Sequence, residues 1–387
     1  KDLTLENGCA DGNKGYMKDG GAIYMKGAIL TLDRVTFINN EAYNVSGALD
    51  TKDSLITITD STFSGNSAGG GAGAIGNGTG STMIITGSIF SGNSAGAILG
   101  YGGGGAIGDY GDLTISDSTI SGNKDLSGAN GIGGGGIGVI NGGTLQVTGS
   151  TISGNSSNAG QGGGGGIGLA FASATVTNST VAGNSASGDF GGGGILALSA
   201  SLKLVFSTVA GNSTTGAAGG GGVGVQKFIG GPAPTFAAKD SLVADNTSGG
   251  DCDASAGATF TSSGINIDSD GSCGALDSTF SQHSPAELAL GSLANNGGAT
   301  KTIALFPQSV AVDAAADCTD LGASPVTTDQ RGVARPQDGN GDGTAVCDLG
   351  AYEAVPSVVQ IPTLDLQSLA LLGLLLAAGA LAFLRRG

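Results

Sequence analysis

Apolar residues recur along the first 250 positions in pairs two apart, with a third five residues further on. Counted back from Asn66, Ile56 and Ile58 lie ten and eight residues earlier and Phe63 three. The position ten residues before the asparagine is filled in turn by Leu30, Ile56, Met83, Leu113, Leu145, Ala174, Leu202 and Phe236. Eight residues before it stand Leu32, Ile58, Ile85, Ile115, Val147, Val176, Leu204 and Ala238. Three residues before it stand Phe37, Phe63, Phe90, Ile120, Ile152, Val181, Val209 and Val243. Apolar and polar positions alternate within each segment, as a strand with one buried face requires, and β-branched and aromatic residues dominate. A 3.6-residue period is absent until the C-terminus.

The repeat is visible by eye as STFSGNS (61–67), STISGNK (118–124), STISGNS (150–156) and STVAGNS (179–185 and 207–213). Its asparagines are Asn40, Asn66, Asn93, Asn123, Asn155, Asn184, Asn212 and Asn246, spaced 26, 27, 30, 32, 29, 28 and 34 residues apart. A glycine run follows most of them, such as GGGGAIG from Gly102 and GGGGGIG from Gly162. Each unit thus contains an LTI-type strand, an STI-type strand, a GN turn and a glycine-rich third strand. Three short strands per repeat of about 30 residues predict one coil of a right-handed single-stranded parallel β-helix, an all-β fold. Stacking coils about 4.8 Å apart places like over like, and eight of them make a rod of roughly 40 Å. Phe63, Phe90, Ile120 and Ile152 would then form an internal stack. The asparagines would form an amide ladder in a turn that tolerates left-handed backbone.

Composition narrows the function. The 387 residues include 77 glycines without a G-X-Y period, which excludes collagen. A formal charge of -16 with only 15 basic residues makes nucleic acid an unsuitable partner. One histidine precludes a His-rich metal site and leaves His283 as the only base for a Ser-His-Asp triad. It sits outside the repeat, where a surface or cap role is expected. The glycine runs lack the following helix and the GK[ST] of a phosphate cradle, so they read as backbone packing.

The STISGN and GGGGI coils resemble bacterial right-handed β-helix surface proteins of the pectin-lyase-like superfold. LGSLANNGGATKTIAL (290–305), SVAVDAA (309–315), TDQRGVARP (328–336) and CDLGAYE (347–353) resemble the choice-of-anchor Q domain. The tail resembles an IPTL-CTERM sorting signal, with Ile361, Pro362, Thr363 and Leu364, an uncharged stretch 366–384, and Arg385 and Arg386. At 1.5 Å per residue that stretch is about 28 Å as a helix, close to a bilayer's hydrocarbon thickness. The expected organisation is therefore β-helix over 1–250, a capping region over 251–355 and a sorting tail with a membrane helix over 356–387. The resemblance implies export to a bacterial cell envelope or surface, an export signal upstream of Lys1, a membrane as partner and a sorting or processing machinery that acts on the tail.

In an exported chain, Cys252–Cys273 and Cys318–Cys347 are the expected disulfides among three connectivities, with Cys9 left over. Two acidic segments suggest calcium. Asp338, Asn340 and Asp342, with Asp348 further on, follow the first half of an EF-hand loop, although Leu349 stands where the bidentate Glu belongs. Asp268 and Asp270 in DSDGSC form a second candidate. The competing reading of both is an acidic turn, and no other cofactor is expected. Asp329, Arg331, Arg335 and Glu353 read as ion pairs or braces.

No catalytic residue is assigned. Between Asp53 and Leu202 there are seven Asp, one Lys and no Arg, so a basic cleft for an acidic glycan cannot form there. Asp60 and Asp117 share a repeat position, but Gly87, Gly149 and Asn178 interrupt the series, so the adjacent carboxylates a glycosidase needs do not arise from it. The leading expectation is a non-catalytic surface protein with a structural, adhesive or display role. A glycan-processing enzyme is the first alternative, and a fibre subunit that binds copies of itself is the second. Surface glycans are the remaining candidate partners.

Overall fold

The computed structural model describes residues 1–11, 18–96, 103–128, 131–216, 218–356 and Leu374. The chain winds as an all-β parallel solenoid of about nine turns. One coil runs through Ser67–Gly70, Ile75–Asn77, Thr82–Thr86 and Ile89–Ser91, so a turn has four strands and not the three expected. The glycine-rich third strand is two strands, because the backbone bends at the glycines between Ala68 and Ile75. The coils stack in four parallel sheets of 11, 8, 9 and 9 strands. The nine strands of the third and fourth sheets exceed the eight coils counted from asparagines, since the last coil carries no asparagine at that place.

Register follows the sequence columns. Met83 lies between Ile56 and Leu113, and Ile85 between Ile58 and Ile115. Phe90 lies between Phe63 and Ile120, followed by Ile152, Val181, Val209 and Val243. Phe37, Phe63 and Phe90 stack face to face with centroids 4.6 and 4.7 Å apart, inside one continuous apolar core. Burial of such rings contributes most of the driving force for coil stacking.

The asparagines form an unbroken ladder. Each side-chain amide donates to the Oδ1 of the next, from Asn40 to Asn66 and on to Asn246, at 2.9 Å throughout. Each Oδ1 also accepts the backbone N–H of the preceding asparagine, for example Asn93 N to Asn123 Oδ1 at 2.9 Å. These buried amides are thereby satisfied, which a buried polar group requires. The residue before each asparagine is left-handed, as at Gly65 with φ 65°, and glycine carries no Cβ penalty there.

Two additions depart from a plain rod. Ile132–Gly134, Gly162–Gly164, Phe190–Gly192 and Ala218–Gly220 form an outer parallel sheet. It lies on the outward face of the third sheet, so closely that a Cβ on Gly168 would stand 2.0 Å from the Gly133 carbonyl oxygen. Glycine on glycine is what allows this contact.

The second addition is residues 285–355, which run back along the outer face of the first sheet. Thr151 Oγ1 donates to the Lys301 carbonyl at 2.5 Å, Thr180 Oγ1 to Gln330 Oε1 at 2.6 Å, and Ala351 N to Thr208 Oγ1 at 3.0 Å. Ile303 packs on Ala182 and Ala210. Parallel pairing continues to Phe280–Gln282, and Lys1–Val355 is one compact unit.

Candidate functional site

Among the described residues, the outer sheet is missing over the first coils, and the outward face of the third sheet is open. There a cleft of about 430 Å³ crosses the first coils, lined by Asp19, Tyr24, Ser46, Asp50, Asn77 and Tyr110 among others. Its floor is one column of outward positions in which Tyr24, Asp50, Gly76 and Gly108 lie side by side. Glycine at 76 leaves room for its neighbours, since a Cβ there would meet Ser46 Oγ at 2.2 Å and Asp50 Oδ1 at 2.6 Å. The Tyr24 ring is half exposed at 53%.

Asp50 Oδ1 accepts a bond from Ser46 Oγ at 2.8 Å. Burial pushes its carboxyl up to about 7, and the charge of Asp19 adds to the rise. Asp19 Oδ1 accepts from Asn44 Nδ2 at 2.8 Å and from Val45 N at 3.3 Å. Asn77 turns inward and donates to Asp109 Oδ1 at 2.7 Å. Asp109 is also pushed up to about 7 by burial. The cleft therefore holds a carboxyl whose pKa burial raises to about 7, a second one anchored by an amide, and an accessible aromatic ring. Chemically this suits a polyhydroxylated ligand, whose hydroxyls meet acceptors and whose C–H face meets a ring.

None of these residues was singled out from sequence. The available signal was the floor column itself: it is glycine at 76, 108, 138, 168 and 224 but opens with Tyr24 and Asp50, its other departures being Leu196 and Asp253.

The residues that were singled out lie elsewhere. Asp60 and Asp117 occupy a left-handed corner, each with φ 48°, in register with Gly87 and Gly149. Their role is conformational, since Asp tolerates that geometry better than most residues. Asp338 accepts from Gly341 N and Gly343 N, Asn340 from Asp342 N, and Asp342 from Thr344 N. These oxygens hold their own turn. Asp348 is fully buried and accepts from Asp313 N and Ala354 N, so the structure does not gather the four around one point. Burial pushes its carboxyl up to about 7.

Arg335 pairs with Glu353 at 2.6 Å, both side chains wholly buried, and Arg331 pairs with Asp329 at 2.7 Å. Arg335 also donates to the carbonyls of Asp348 and Gly350, which clamps the end of the returning segment. His283 donates its backbone N–H to the Asp268 carbonyl at the end of the coils. Disulfides join Cys252 to Cys273 and Cys318 to Cys347, and Cys9 is free and exposed. The sorting motif Ile361–Leu364, Arg385, Arg386 and the membrane helix over 366–384 lie outside the described residues, Leu374 excepted. Among the described residues, no helix is long and apolar enough to cross a membrane.

A family model for the right-handed β-helix region matches residues 21–284, the stacked coils from the Ile23–Lys26 strand onward. The chain belongs to the right-handed β-helix family. No curated protein and no solved structure matches it. Membership in the β-helix family accounts for the ladder and the core columns, and it is compatible with surface proteins and with pectin-lyase-like enzymes alike. The function of this β-helix must be argued from its cleft.

Proposed function

We propose that this β-helix is an exported, membrane-sorted, non-catalytic cell-surface protein with an adhesive role, and that its open coils bind a glycan. The carrying observation is the cleft over the first coils, with a glycine floor, the exposed Tyr24 ring and the acceptors Asp19 and Asp50. Two disulfides support an oxidising compartment. The rod's repeated polar residues are spent on the ladder and corners, which supports a scaffold role. Sorting through the tail and anchoring in the cell envelope rest on the resemblance of residues 361–386. The test uses the purified chain on immobilised neutral and uronate-rich glycans, with reducing ends assayed in parallel. Retention without cleavage is expected, weakened about tenfold or more by Tyr24→Ala. Retention on no glycan, or release of new reducing ends, overturns the reading. For sorting, mass spectrometry of the C-terminus of protein from its native envelope shows whether Arg386 and Gly387 persist.

A second reading, a glycan-processing enzyme, is favoured by one feature. Asp50, its carboxyl pushed up to about 7 by burial, lines the same cleft as a second carboxyl, Asp19, and could serve as a general acid. Under that reading Asp50→Asn abolishes a measurable turnover while leaving binding intact.

A further inference from the structure

The last coil ends two of the rod's interior columns in carboxylates. Asp251 closes the asparagine ladder, its Oδ1 accepting from Asn246 Nδ2 at 2.9 Å and from Asn246 N at 3.1 Å. Asp268 pairs with Val243 and so occupies the place that Phe63, Ile120 and Val209 hold in earlier coils. Both are fully buried. Asp270 joins them from the surface, its Oδ2 accepting from Asp251 N at 3.0 Å. One oxygen of each of the three lies within 4.8 Å of those of the other two.

Asp251 Oδ2 accepts from Ser269 N and Oγ, both at 2.6 Å, and Asp270 Oδ1 from Ser272 N at 2.9 Å and Oγ at 2.6 Å, so these two are satisfied by neutral donors and not by a basic side chain. Among the described residues, the ion pairs involve none of these three carboxylates. Asp268 Oδ2 is satisfied by Cys273 N at 2.9 Å, but its Oδ1 is buried with no partner at all. A buried, unpartnered carboxylate oxygen beside two further carboxylates is costly unless a cation or a proton compensates it. The Cys252–Cys273 disulfide brackets the cluster and holds its backbone in place.

We propose that Asp251, Asp268 and Asp270 bind a calcium ion that seals the C-terminal end of the coil stack. Hard oxygen donors suit calcium over a transition metal, and extracellular calcium modules work at about 0.1–1 mM. This site is distinct from the 338–342 turn and independent of the glycan reading.

The test is thermal unfolding of the full chain, freed of divalent cations with chelator and titrated with calcium chloride, alongside isothermal titration calorimetry with calcium alone. The midpoint should rise with calcium and saturate, sodium chloride at equal ionic strength should not reproduce it, and calorimetry should report one site. Asp268→Asn and the surface variant Asp270→Asn should both lose the rise while keeping the wild-type circular dichroism. Asp342→Asn should keep it. If Asp268→Asn fails to fold, Asp270→Asn decides alone. No calcium-dependent shift in the wild type, an undiminished shift in Asp270→Asn, or loss of the shift in Asp342→Asn overturns the proposal.

Discussion

From Asn40 to Asn93 the repeats take 26 and 27 residues, whereas from Asn93 to Asn246 they take between 28 and 34. Both halves share one core, one ladder and one register, yet their surfaces differ. Among the described residues, the short repeats return from the asparagine turn to the third sheet directly, which leaves its outward face open around Asp50 and Gly76. The longer repeats spend their extra residues on the outer glycine strands. The later coils are also overlaid on their first sheet by residues 285–355. A solenoid can thus carry a clad half and a bare half without altering the interior. The glycan site proposed above lies on the bare half, where Tyr24 and Asp50 stand on the outward face beside Gly76 and Gly108.

Arg335→Ala should break the contrast most severely. It strands the wholly buried Glu353, and loss of one partner of a buried pair costs about 3–5 kcal/mol. Urea unfolding followed by hydrogen exchange should place the loss in residues 285–355 and the coils beneath, with the first three coils protected as before.

Asn123→Ala removes a rung near the junction of the two halves. It removes the acceptor of the Asn93 backbone N–H and one of two bonds from Asn93 Nδ2 and from Asn155 Oδ1, at about 1–3 kcal/mol for the buried N–H left bare. Denaturant unfolding should show a lower midpoint, and two separated transitions if the rung also couples the halves.

A matched glycine pair tests the cladding itself. Gly108→Ala brings a Cβ to 3.2 Å from the Ala72 Cβ, whereas Gly168→Ala drives it to 2.0 Å from the Gly133 carbonyl. The second should cost about 1–3 kcal/mol and make the outer strands protease-sensitive, and the first much less. Equal costs would sink the account of the outer sheet.

Asp50 gives a pH signature confined to the bare half. Its folded value, near 7, is above the unfolded one, so the folded state binds the extra proton between about pH 4 and 7. Stability therefore falls as pH rises through that window. Asp50→Asn should match the wild type near pH 4 and exceed it at pH 8, by on the order of 1–2 kcal/mol once solvent contact is allowed for. Urea midpoints at both values settle it. The smallest effect belongs to Asp60→Asn, where both residues accept the left-handed corner. A change within about 0.5 kcal/mol is expected in thermal unfolding.

The interior was legible in the sequence because stacking repeats each environment every coil. Phe63, Phe90 and Ile120 announce one column, and Asn66, Asn93 and Asn123 another. The outside was less so. The fourth strand escaped because Ser94–Ala95 is only two residues long and carries one inward side chain. The covering by residues 285–355 had left a trace: the outward serine of STISGN at Ser121 and Ser153 becomes alanine at Ala182, Ala210 and Ala244. Those alanines are buried, so the change records lost solvent contact and not relaxed pattern. The carboxylate cluster was half visible in Asp268 and Asp270. Asp251 escaped because it takes the asparagine's place only five residues after Asn246, where spacing predicts nothing.

The ladder's bonds all point one way, each amide giving its hydrogen to the coil that follows it in the chain. Such a row is a directed object that stops at the Asp251 carboxyl, where the aligned amide dipoles present their positive end. Its rungs are interchangeable. Excising or duplicating one whole coil between Asn66 and Asn155 would leave every donor facing an acceptor and every ring or branched side chain on a similar neighbour. The molecule's length is in that sense a count of modules, adjustable in steps of one strand spacing, while both of its ends stay fixed.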